Sequence, residues 1–339
     1  MKNFAVFIGS VLLSLAVAEA AVRAAGFAPR EIRINPFFEP NSETTWSVPD
    51  EELGWLNMEG VSTSIEDGNA RMTFWSAGRR ATRAIEVPPE NALPVMIVGG
   101  SNAQSYGVVD EASFAYRLGE RFPDLWIENF GNGGYNTVQS FLLAKRAIRN
   151  FYTTQKPKLV LLAFDDSHAV RNVADQSWIY SISDDEGRYV APPHYRMENE
   201  EIVFHPFTTI GFWPLERSSA LVTMLHNTWL QSVAYNSAAE AESVTRHVIA
   251  QMAEFVSSQD MQFAAVVLED KSQIADDLFA GFKFPYKNCS GLERSNPEEY
   301  LLGGSSHPNA RLHEYYAICI DEWLRSDVLT LINAWNPHP

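Results

Sequence analysis

The sequence predicts an α/β fold in which a doubly wound, mainly parallel sheet is flanked by helices. Two features of the chain carry this prediction. Near-continuous apolar runs, of the length of strands that are buried on both faces, recur along the sequence. Stretches with apolar residues at helical spacing lie between these runs. Such an alternation favours parallel strands that are joined by right-handed crossovers through helices.

Four strands and four helices are predicted in alternation along the chain. The predicted strands are residues 95–100, 125–130, 158–164 and 262–268. The apolar faces of the predicted helices are formed by Phe114, Leu118 and Phe122; by Val138, Phe141, Leu142 and Ile148; by Val244, Val248, Met252 and Phe255; and by Leu312, Tyr316, Cys319, Ile320 and Trp323. Each helix therefore has one face to bury against the sheet.

The composition is that of an ordinary globular protein with a sizeable core, because 46% of the 339 residues are hydrophobic and 20% are charged. The net charge of −16 argues against nucleic acid as a partner, since that affinity comes largely from Lys and Arg side chains that neutralise phosphates. No histidine pair stands at the spacing of a metal site, and no glycine-rich phosphate loop is recognisable. We therefore expect neither a metal nor another cofactor.

The first 25 residues are predicted to be a targeting segment. Lys2 precedes a mostly apolar run, Phe4–Ala18, and residues 18–20 (Ala-Glu-Ala) have the small-x-small pattern of a signal-peptide cleavage site. The alternative is an uncleaved membrane anchor that extends to Ala25. Both interpretations place the rest of the chain outside the cytoplasm, in the periplasm or at the outer face of the cytoplasmic membrane. A buried amino-terminal helix is the third interpretation.

Residues 31–92 are polar at first and then carry short β-like pieces, so they are predicted to form a small prelude packed on the main domain. The main domain is expected at residues 93–325. Residues 170–235 interrupt its strand–helix rhythm with an aromatic, proline-rich insertion. An insertion after the carboxyl end of a strand would overhang a ligand site. Alternatively, its aromatic residues form a hydrophobic cluster of their own.

Cys289 and Cys319 are the only cysteines in the sequence. In an exported protein they could form one disulfide across the segment between them. The other interpretation is two small, buried apolar side chains. Two cysteines at this spacing do not make a structural zinc site.

A serine at the end of a buried strand is the strongest functional signal. Residues 95–98 are apolar and run into Gly99, Gly100 and Ser101, which indicates a strand that ends in a tight turn. Open α/β sheets bind their ligands at the carboxyl ends of their strands. His307 lies far downstream, just before a predicted helix. A serine in this position and a distant histidine suggest a nucleophile and its base.

Four short blocks stand in order along the chain, each at a strand end or a helix start. They are Gly99-Gly100-Ser101-Asn102, Asn129-Phe130-Gly131-Asn132-Gly133-Gly134-Tyr135, Ala163-Phe164-Asp165-Asp166 and His307-Pro308-Asn309-Ala310. Over about residues 93–325 the chain thereby resembles the SGNH (GDSL-like) hydrolase superfamily of the exported bacterial type. The resemblance implies a flavodoxin-like, three-layer architecture. It also implies a serine ester hydrolase that forms an acyl-serine from a small-molecule or carbohydrate ester.

Within this resemblance, Ser101 matches the nucleophile and His307 matches the general base. The backbone N–H groups of Ser101 and Gly134 match two donors of the oxyanion hole. A serine hydroxyl is a poor nucleophile until a base removes its proton. The tetrahedral oxyanion needs preorganised donors, and a glycine lets its N–H come close.

The chain departs from the family pattern at three positions. Gly100 stands where the family usually has an aspartate. The family's asparagine, whose side-chain N–H donates to the oxyanion, falls on Asp165 or Asp166, and an ionised carboxylate only accepts hydrogen bonds. The acid that normally precedes the histidine falls on Gly304, so His307 lacks its usual orienting carboxylate.

Asp270, just past the fourth predicted strand, is one candidate for the missing acid. Asp165, Asp166 or His168 could instead rearrange the site. The sequence does not choose among these alternatives.

Three functions are compatible with these residues. The first, which we predict, is a serine hydrolase with a Ser-His dyad or a recruited acid, cleaving an ester or O-acetyl group. The second is a binding protein on the same scaffold with little turnover. The third is a polysaccharide O-acyltransferase. Relatives of that third kind carry an Asp-x-His pair upstream of the serine, whereas Asp166 and His168 lie downstream of it.

Overall fold

The computed structural model describes residues 2–31, 35, 38, 46–64, 70–184, 186–234, 236–303 and 305–328. Its strands are β1 (Ser47–Asp50), β2 (Gly54–Asn57), β3 (Gly60–Ser64), β4 (Ala70–Trp75), β5 (Arg79–Arg80), β6 (Leu93–Gly99), β7 (Leu125–Asn129), β8 (Leu159–Asp165), β9 (Tyr189–Ala191), β10 (His194–Glu198), β11 (Glu201–His205), β12 (Thr208–Ile210), β13 (Gln262–Glu269) and β14 (Tyr286–Asn288). Its α-helices are α1 (Lys2–Ala24), α2 (Ser101–Gln104), α3 (Phe114–Arg121), α4 (Thr137–Asn150), α5 (Ser167–Asn172), α6 (Gln176–Ser181), α7 (Ala220–Ala234), α8 (Ala238–Ser258), α9 (Ala275–Phe279), α10 (Leu292–Ser295), α11 (Pro297–Tyr300) and α12 (Ala310–Trp323).

Eight strands form the central sheet, in the spatial order β14-β13-β8-β6-β7-β5-β4-β3. The first five are parallel to their neighbours. Numbered among themselves along the chain, these five have the order 5-4-3-1-2, which is the doubly wound order of flavodoxin-like folds. The predicted α/β fold is confirmed, and the four predicted strands correspond to β6, β7, β8 and β13.

Strand β6 shows why the apolar runs lack polar alternation. Val95 and Ile97 belong to the core between the sheet and helices α3 and α12. Met96 and Val98 belong to the core on the opposite face, which includes α4 and α8. Successive side chains of a strand point to opposite faces, so a strand covered on both sides is apolar throughout. The four predicted helices supply these two covering layers.

An antiparallel extension continues the sheet beyond β7. Strands β5, β4 and β3 pair in sequence from the edge of β7. The basic residues of β5 are buried as ion pairs, Arg79 with Glu128 at 2.7 Å and Arg80 with Asp110 at 3.0 Å. Part of the stretch that the sequence suggests as a prelude is thus continuous with the main sheet, while β1 and β2 form a small sheet of their own.

The aromatic insertion packs partly on itself and partly on the main domain. It contains α6, α7 and two small antiparallel sheets, β9 with β12 and β10 with β11. Ile179, Tyr189 and Leu230 share a buried cluster of their own. Ile182 and Val190 belong instead to the core that includes α4 and α8.

Cys289 and Cys319 are joined by a disulfide, with their Cα atoms 6.0 Å apart. Cys289 directly follows β14, and Cys319 lies in α12. The bond therefore closes a loop of chain that contains His307.

Helix α1 is long and apolar enough to cross a membrane. The candidate span Asn3–Ala24 has a mean hydropathy of 2.2, and none of it is buried. A signal sequence has the same length and composition, so this finding is compatible with both sequence interpretations of the targeting segment.

Candidate active site

Ser101 lies at the point where the strand order of the sheet reverses. It follows β6, and the next two parallel strands along the chain, β7 and β8, lie on opposite sides of β6 in the sheet. Two glycines make this turn compact. A Cβ atom on Gly99 would lie 2.3 Å from the carbonyl oxygen of Ala163, and one on Gly100 would lie 2.9 Å from Nε2 of His168. Only glycine permits these approaches, and they place Ser101 at the crevice where such sheets bind ligands.

A polar cavity of about 420 Å³ opens at this point. Ser101 and His307, the predicted nucleophile and base, both line it, and so do Asp165 and Asp166. Gly134, the predicted second oxyanion donor, lies in a turn before α4 with φ at 76° and is absent from the described lining. The structure thus brings together the predicted serine, histidine and two aspartates.

The imidazole of His307 is held by its own loop. Its Nδ1 lies 2.8 Å from Oγ of Ser305, and the same hydroxyl oxygen accepts the backbone N–H of His307 at 3.1 Å. The ring of Tyr106 packs edge-on against the imidazole at 4.9 Å. Gly304, the position of the family's acid, lies outside the described residues. Ser305 therefore occupies the place beside Nδ1 where an orienting acid would stand.

Asp270, the sequence candidate for the acid that orients His307, binds the backbone at the start of α9. Its carboxylate accepts the backbone N–H of Ile274 at 2.8 Å and that of Ala275 at 3.3 Å. These contacts fix the start of α9, where unpaired N–H groups need an acceptor. Asp270 is also absent from the described lining of the cavity.

Asp165 is a buried anion at the floor of the cavity. Burial acts to raise the pKa of its carboxyl, but the charges of His168 and Arg171, the hydrogen bond from Ser167 and the charge of His307 outweigh that effect and hold the pKa below its ordinary value. An ionised Asp165 accepts hydrogen bonds and donates none. It therefore cannot donate a hydrogen bond to an oxyanion in this cavity.

His168 lies beneath Gly100 and is fully buried. Its Nε2 is 3.4 Å from Oδ2 of Asp165, and its Nδ1 is 3.3 Å from the hydroxyl of Thr137. Burial lowers the pKa of His168, an effect that the neighbouring Asp165 only partly offsets. The imidazole thus supports Asp165 from the protein side.

Asp166 connects two strand ends as well as lining the cavity. Its Oδ2 accepts the backbone N–H of Ser272 at 2.6 Å, and its own N–H donates to the carbonyl of Glu269 at 3.1 Å. These bonds tie the end of β8 to the end of β13. The carboxylate of Asp166 is therefore already partnered by the backbone.

Arg171 is a cavity residue that sequence reasoning missed. Its guanidinium lies 4.2 Å over the ring of Trp178 and donates to the carbonyl of Tyr135 at 3.4 Å. Burial lowers the pKa of Arg171, and the charges of Asp165, Glu269 and Asp166 act against this. The only sequence signal was its spacing: Ser167 and Arg171 are four apart in α5 and so share a face.

Glu269 and Lys271 complete the charged lining, and both were also missed. Lys271 Nζ lies 2.5 Å from one carboxylate oxygen of Glu269, and the side-chain amide of Asn102 donates to the other at 3.3 Å. Burial raises the pKa of Glu269, and the charge of Asp165 adds to this. Cationic and anionic groups thus line the same cavity as the serine.

The aromatic residues of the insertion are absent from the lining of the cavity among the described residues. Of residues 170–235, only Val170 and Arg171 line the cavity. Within the described chain, no group of three or more His, Cys, Asp or Glu side chains is arranged to hold a metal ion. Fold and cavity together define an α/β protein with a serine and a histidine at the switch point of its sheet.

No protein-family model and no curated protein matches this chain. Solved structures match it in fold. A GDSL-like lipase from Bacteroides thetaiotaomicron is 14% identical, with a TM-score of 0.39 over 72% of this chain and 94% of that chain. The psychrotrophic esterase EstA from Pseudoalteromonas sp. is 11% identical, with a TM-score of 0.37 over 69% of this chain and 99% of that chain. The SGNH-hydrolase family esterase AlinE4 is 11% identical, with a TM-score of 0.35 over 73% and 98%.

The likeness concerns the fold, and it says nothing about the side chains of the cavity.

Proposed function

We propose that the protein is a serine ester hydrolase that works through an acyl-serine. The observation that carries the proposal is that Ser101 and His307 line one polar cavity at the carboxyl end of β6. Both side chains are partly exposed into it. A nucleophile beside a base, with the base held by a third group, is the pattern of serine hydrolysis.

In the proposed reaction, Nε2 of His307 takes the proton of the Ser101 hydroxyl as Oγ bonds to the ester carbonyl carbon. This requires that Nδ1 carries a hydrogen and donates it to Ser305. The tetrahedral intermediate collapses, its C–O bond to the leaving alkoxide breaks, and His307 returns the proton to that oxygen. Water then attacks the acyl-serine by the same route.

Stabilisation of the oxyanion is the step for which this site has the fewest suitable groups. Ionised Asp165 opposes a negative charge that develops near it, and the family's asparagine is absent. We propose that the guanidinium of Arg171 supplies the compensating positive charge, together with the backbone N–H of Ser101. Arg171 lines the cavity, and a guanidinium carries N–H donors in a fixed geometry.

The substrate that fits best is a short acyl group on a polar carrier, such as an O-acetylated carbohydrate or another small ester. The described lining includes Asp165, Arg171, Glu269 and Lys271. Long apolar chains gain little in a cavity of this kind, because the charged groups would lose their water without new partners. A catalytically weakened binding protein remains the second candidate, and the negative charge of Asp165 favours it.

The acyltransferase alternative receives less support. The Asp-x-His pair of this chain ends in His168, which is fully buried and lies beneath Gly100. A side chain in that place contacts neither an acyl donor nor a sugar hydroxyl.

The decisive experiment is labelling with a fluorophosphonate, which reacts with an activated serine whatever the natural substrate. We expect Ser101→Ala to abolish labelling and p-nitrophenyl acetate hydrolysis with little change in melting temperature. Ser272→Ala is a matched control: its backbone N–H, which binds Asp166, is kept, so labelling should persist. A Ser101→Ala variant with full activity would contradict the proposal.

Arg171→Met should slow ester hydrolysis, by up to roughly a hundredfold if Arg171 is the main oxyanion donor.

We also propose that the protein is exported and held at the outer face of the cytoplasmic membrane by α1. The apolar span Asn3–Ala24 supports this proposal. A protease-protection assay tests the location, and amino-terminal sequencing of the membrane fraction distinguishes an anchor from a cleaved signal peptide. A protein found wholly in the cytosol would contradict it.

A further inference from the structure

Helix α7 has an outer face without charge. Its 15 residues, Ala220–Ala234, include no Lys, Arg, Asp or Glu. One face is buried against the body, and on the other Leu225, Trp229 and Val233 are 47%, 42% and 43% exposed. These three residues are spaced one turn apart and form a continuous apolar stripe. Thr228, Gln231 and Ser232 flank the stripe and are uncharged. An exposed, contiguous apolar stripe marks an interaction surface, so this face of α7 lacks a covering layer.

The start of α7 is bound to the candidate membrane helix. The carboxylate of Glu19 in α1 accepts the backbone N–H groups of Ala220 and Leu221, both at 2.9 Å, and the hydroxyl of Ser219 at 2.7 Å. Arg23 pairs with Glu19 at 2.6 Å. A carboxylate at a helix N-terminus satisfies free N–H groups and faces the positive end of the helix dipole.

A buried ionic cluster fixes the same junction from the inside. The backbone N–H of Arg30 donates to Oγ1 of Thr223 in α7 at 3.1 Å. The guanidinium of Arg30 lies 3.1 Å over the ring of Tyr189, and Glu216 contacts Nδ1 of His226 at 2.9 Å. Helix α1 is therefore bound to α7 through Glu19, and the segment that follows α1 is bound to α7 through Arg30.

We propose that α7 lies in the interface of the bilayer that α1 crosses, with Leu225, Trp229 and Val233 among the lipid headgroups and upper acyl chains. The stripe begins at Leu225, one turn after Leu221, which Glu19 binds near the end of the membrane span. If α1 crosses the bilayer, lipid is therefore the surface next to the stripe. Tryptophan is enriched at membrane–water interfaces, and interfacial helices bury an apolar face at this depth. The inference rests on the proposed anchor and is independent of the chemistry at Ser101.

The experiment uses the full chain in nanodiscs of phosphatidylethanolamine and phosphatidylglycerol. Because Cys289 and Cys319 are bonded to each other, an introduced cysteine is a single labelling site for an environment-sensitive fluorophore. Leu225→Cys, Trp229→Cys and Val233→Cys probe the stripe. The matched control is Ile85→Cys, since Ile85 is an apolar side chain that is 65% exposed and lies in the segment between β5 and β6.

We expect the three α7 labels to emit at shorter wavelength than the control. They should also be quenched several-fold more by lipids with a spin label near the headgroup, and several-fold less by iodide. Equal access of iodide to α7 and to position 85 would overturn the inference. Shielding that occurs only in discs with two copies would overturn it as well, because a second chain would then cover α7. A chain that fails to enter nanodiscs would contradict the anchor itself, and with it the position of α7.

Discussion

The carboxylate of Asp165 and the imidazole of His168 face each other at 3.4 Å, next to the backbone of Gly100. Any side chain at position 100 would collide with this imidazole, since a Cβ on Gly100 would lie 2.9 Å from Nε2 of His168. Gly100, Asp165 and His168 are therefore one structural arrangement: a histidine is packed under the serine turn and against a buried carboxylate.

Gly100→Ala tests this packing. The added Cβ would meet His168 Nε2 at 2.9 Å and the carbonyl of Tyr135 at 3.1 Å. We expect a loss of about 1–3 kcal/mol in the free energy of unfolding, as for other overpacked sites. Urea denaturation measures it. In a His168→Ala background the loss should be smaller, because one of the two obstacles is gone. An equal loss in both backgrounds would contradict the arrangement.

Asp165→Asn should raise the rate of ester hydrolysis. The amide removes a negative charge near the oxyanion and adds an N–H donor, so the gain could approach the roughly hundredfold worth of one such donor. Steady-state kinetics with p-nitrophenyl acetate measure it. Asp166→Asn is the matched control and should give no gain, because the carboxylate of Asp166 is bound to Ser272. If Asp165→Asn is slower than the parent, Asp165 has another role.

Ser305→Ala should lower kcat by roughly tenfold, since a hydrogen bond that orients a catalytic group is worth about 1–1.5 kcal/mol. Asp270→Asn should change kcat by less than about threefold because its carboxylate serves α9. The two variants are compared by kinetics and by melting temperature. A large rate loss in Asp270→Asn with Ser305→Ala unaffected would restore the sequence hypothesis for Asp270.

Removal of the disulfide should destabilise the protein. The bond spans 30 residues of sequence, and loss of such a cross-link from the unfolded chain costs about 2–4 kcal/mol. Cys289→Ser combined with Cys319→Ser, measured by chemical denaturation, should show this loss. Hydrolysis should fall too, because the closed loop carries His307. A double variant with unchanged stability would show that α12 holds this segment without the bond.

Stability should fall as the pH is lowered from about 6.5, the ordinary histidine pKa. Burial lowers the pKa of His194 and of His313 to about 3. Between these values the unfolded chain binds protons that the folded chain does not, so each histidine contributes a slope of about 1.4 kcal/mol per pH unit. Urea denaturation between pH 7 and pH 5 measures the slope. His313→Leu should reduce the slope by the contribution of one histidine, about 1.4 kcal/mol per pH unit. An unchanged slope would contradict this explanation.

The strands and the juxtaposition of Ser101 and His307 could be predicted because their signals are local. Residues 95–98 are apolar on both faces, which only a covered strand requires. Ser101 and His307 stand in short blocks at a strand end and before a helix, and the structure places them in one cavity.

The environment of the pair could not be predicted, because it depends on which loops meet. Arg171 lies in the cavity because α5 packs there, and Ser305 lies beside Nδ1 of His307 because of the path of their loop. Asp270 has a second, local interpretation that sequence reasoning did not weigh: an aspartate just after a strand is also a typical helix-start residue, and its side chain accepts the backbone N–H of Ile274.

The connection between Ala24 and Arg30 determines where this protein can work. Glu19 and Arg30 are both fixed to the body, so an anchored chain has almost no slack with which to move away from the bilayer. The height of the cavity above the lipid would then be constant, and an anchored ester hydrolase of this kind would act only within a layer one protein diameter thick. Encounter with substrate becomes a search in two dimensions, in which local surface density replaces bulk concentration.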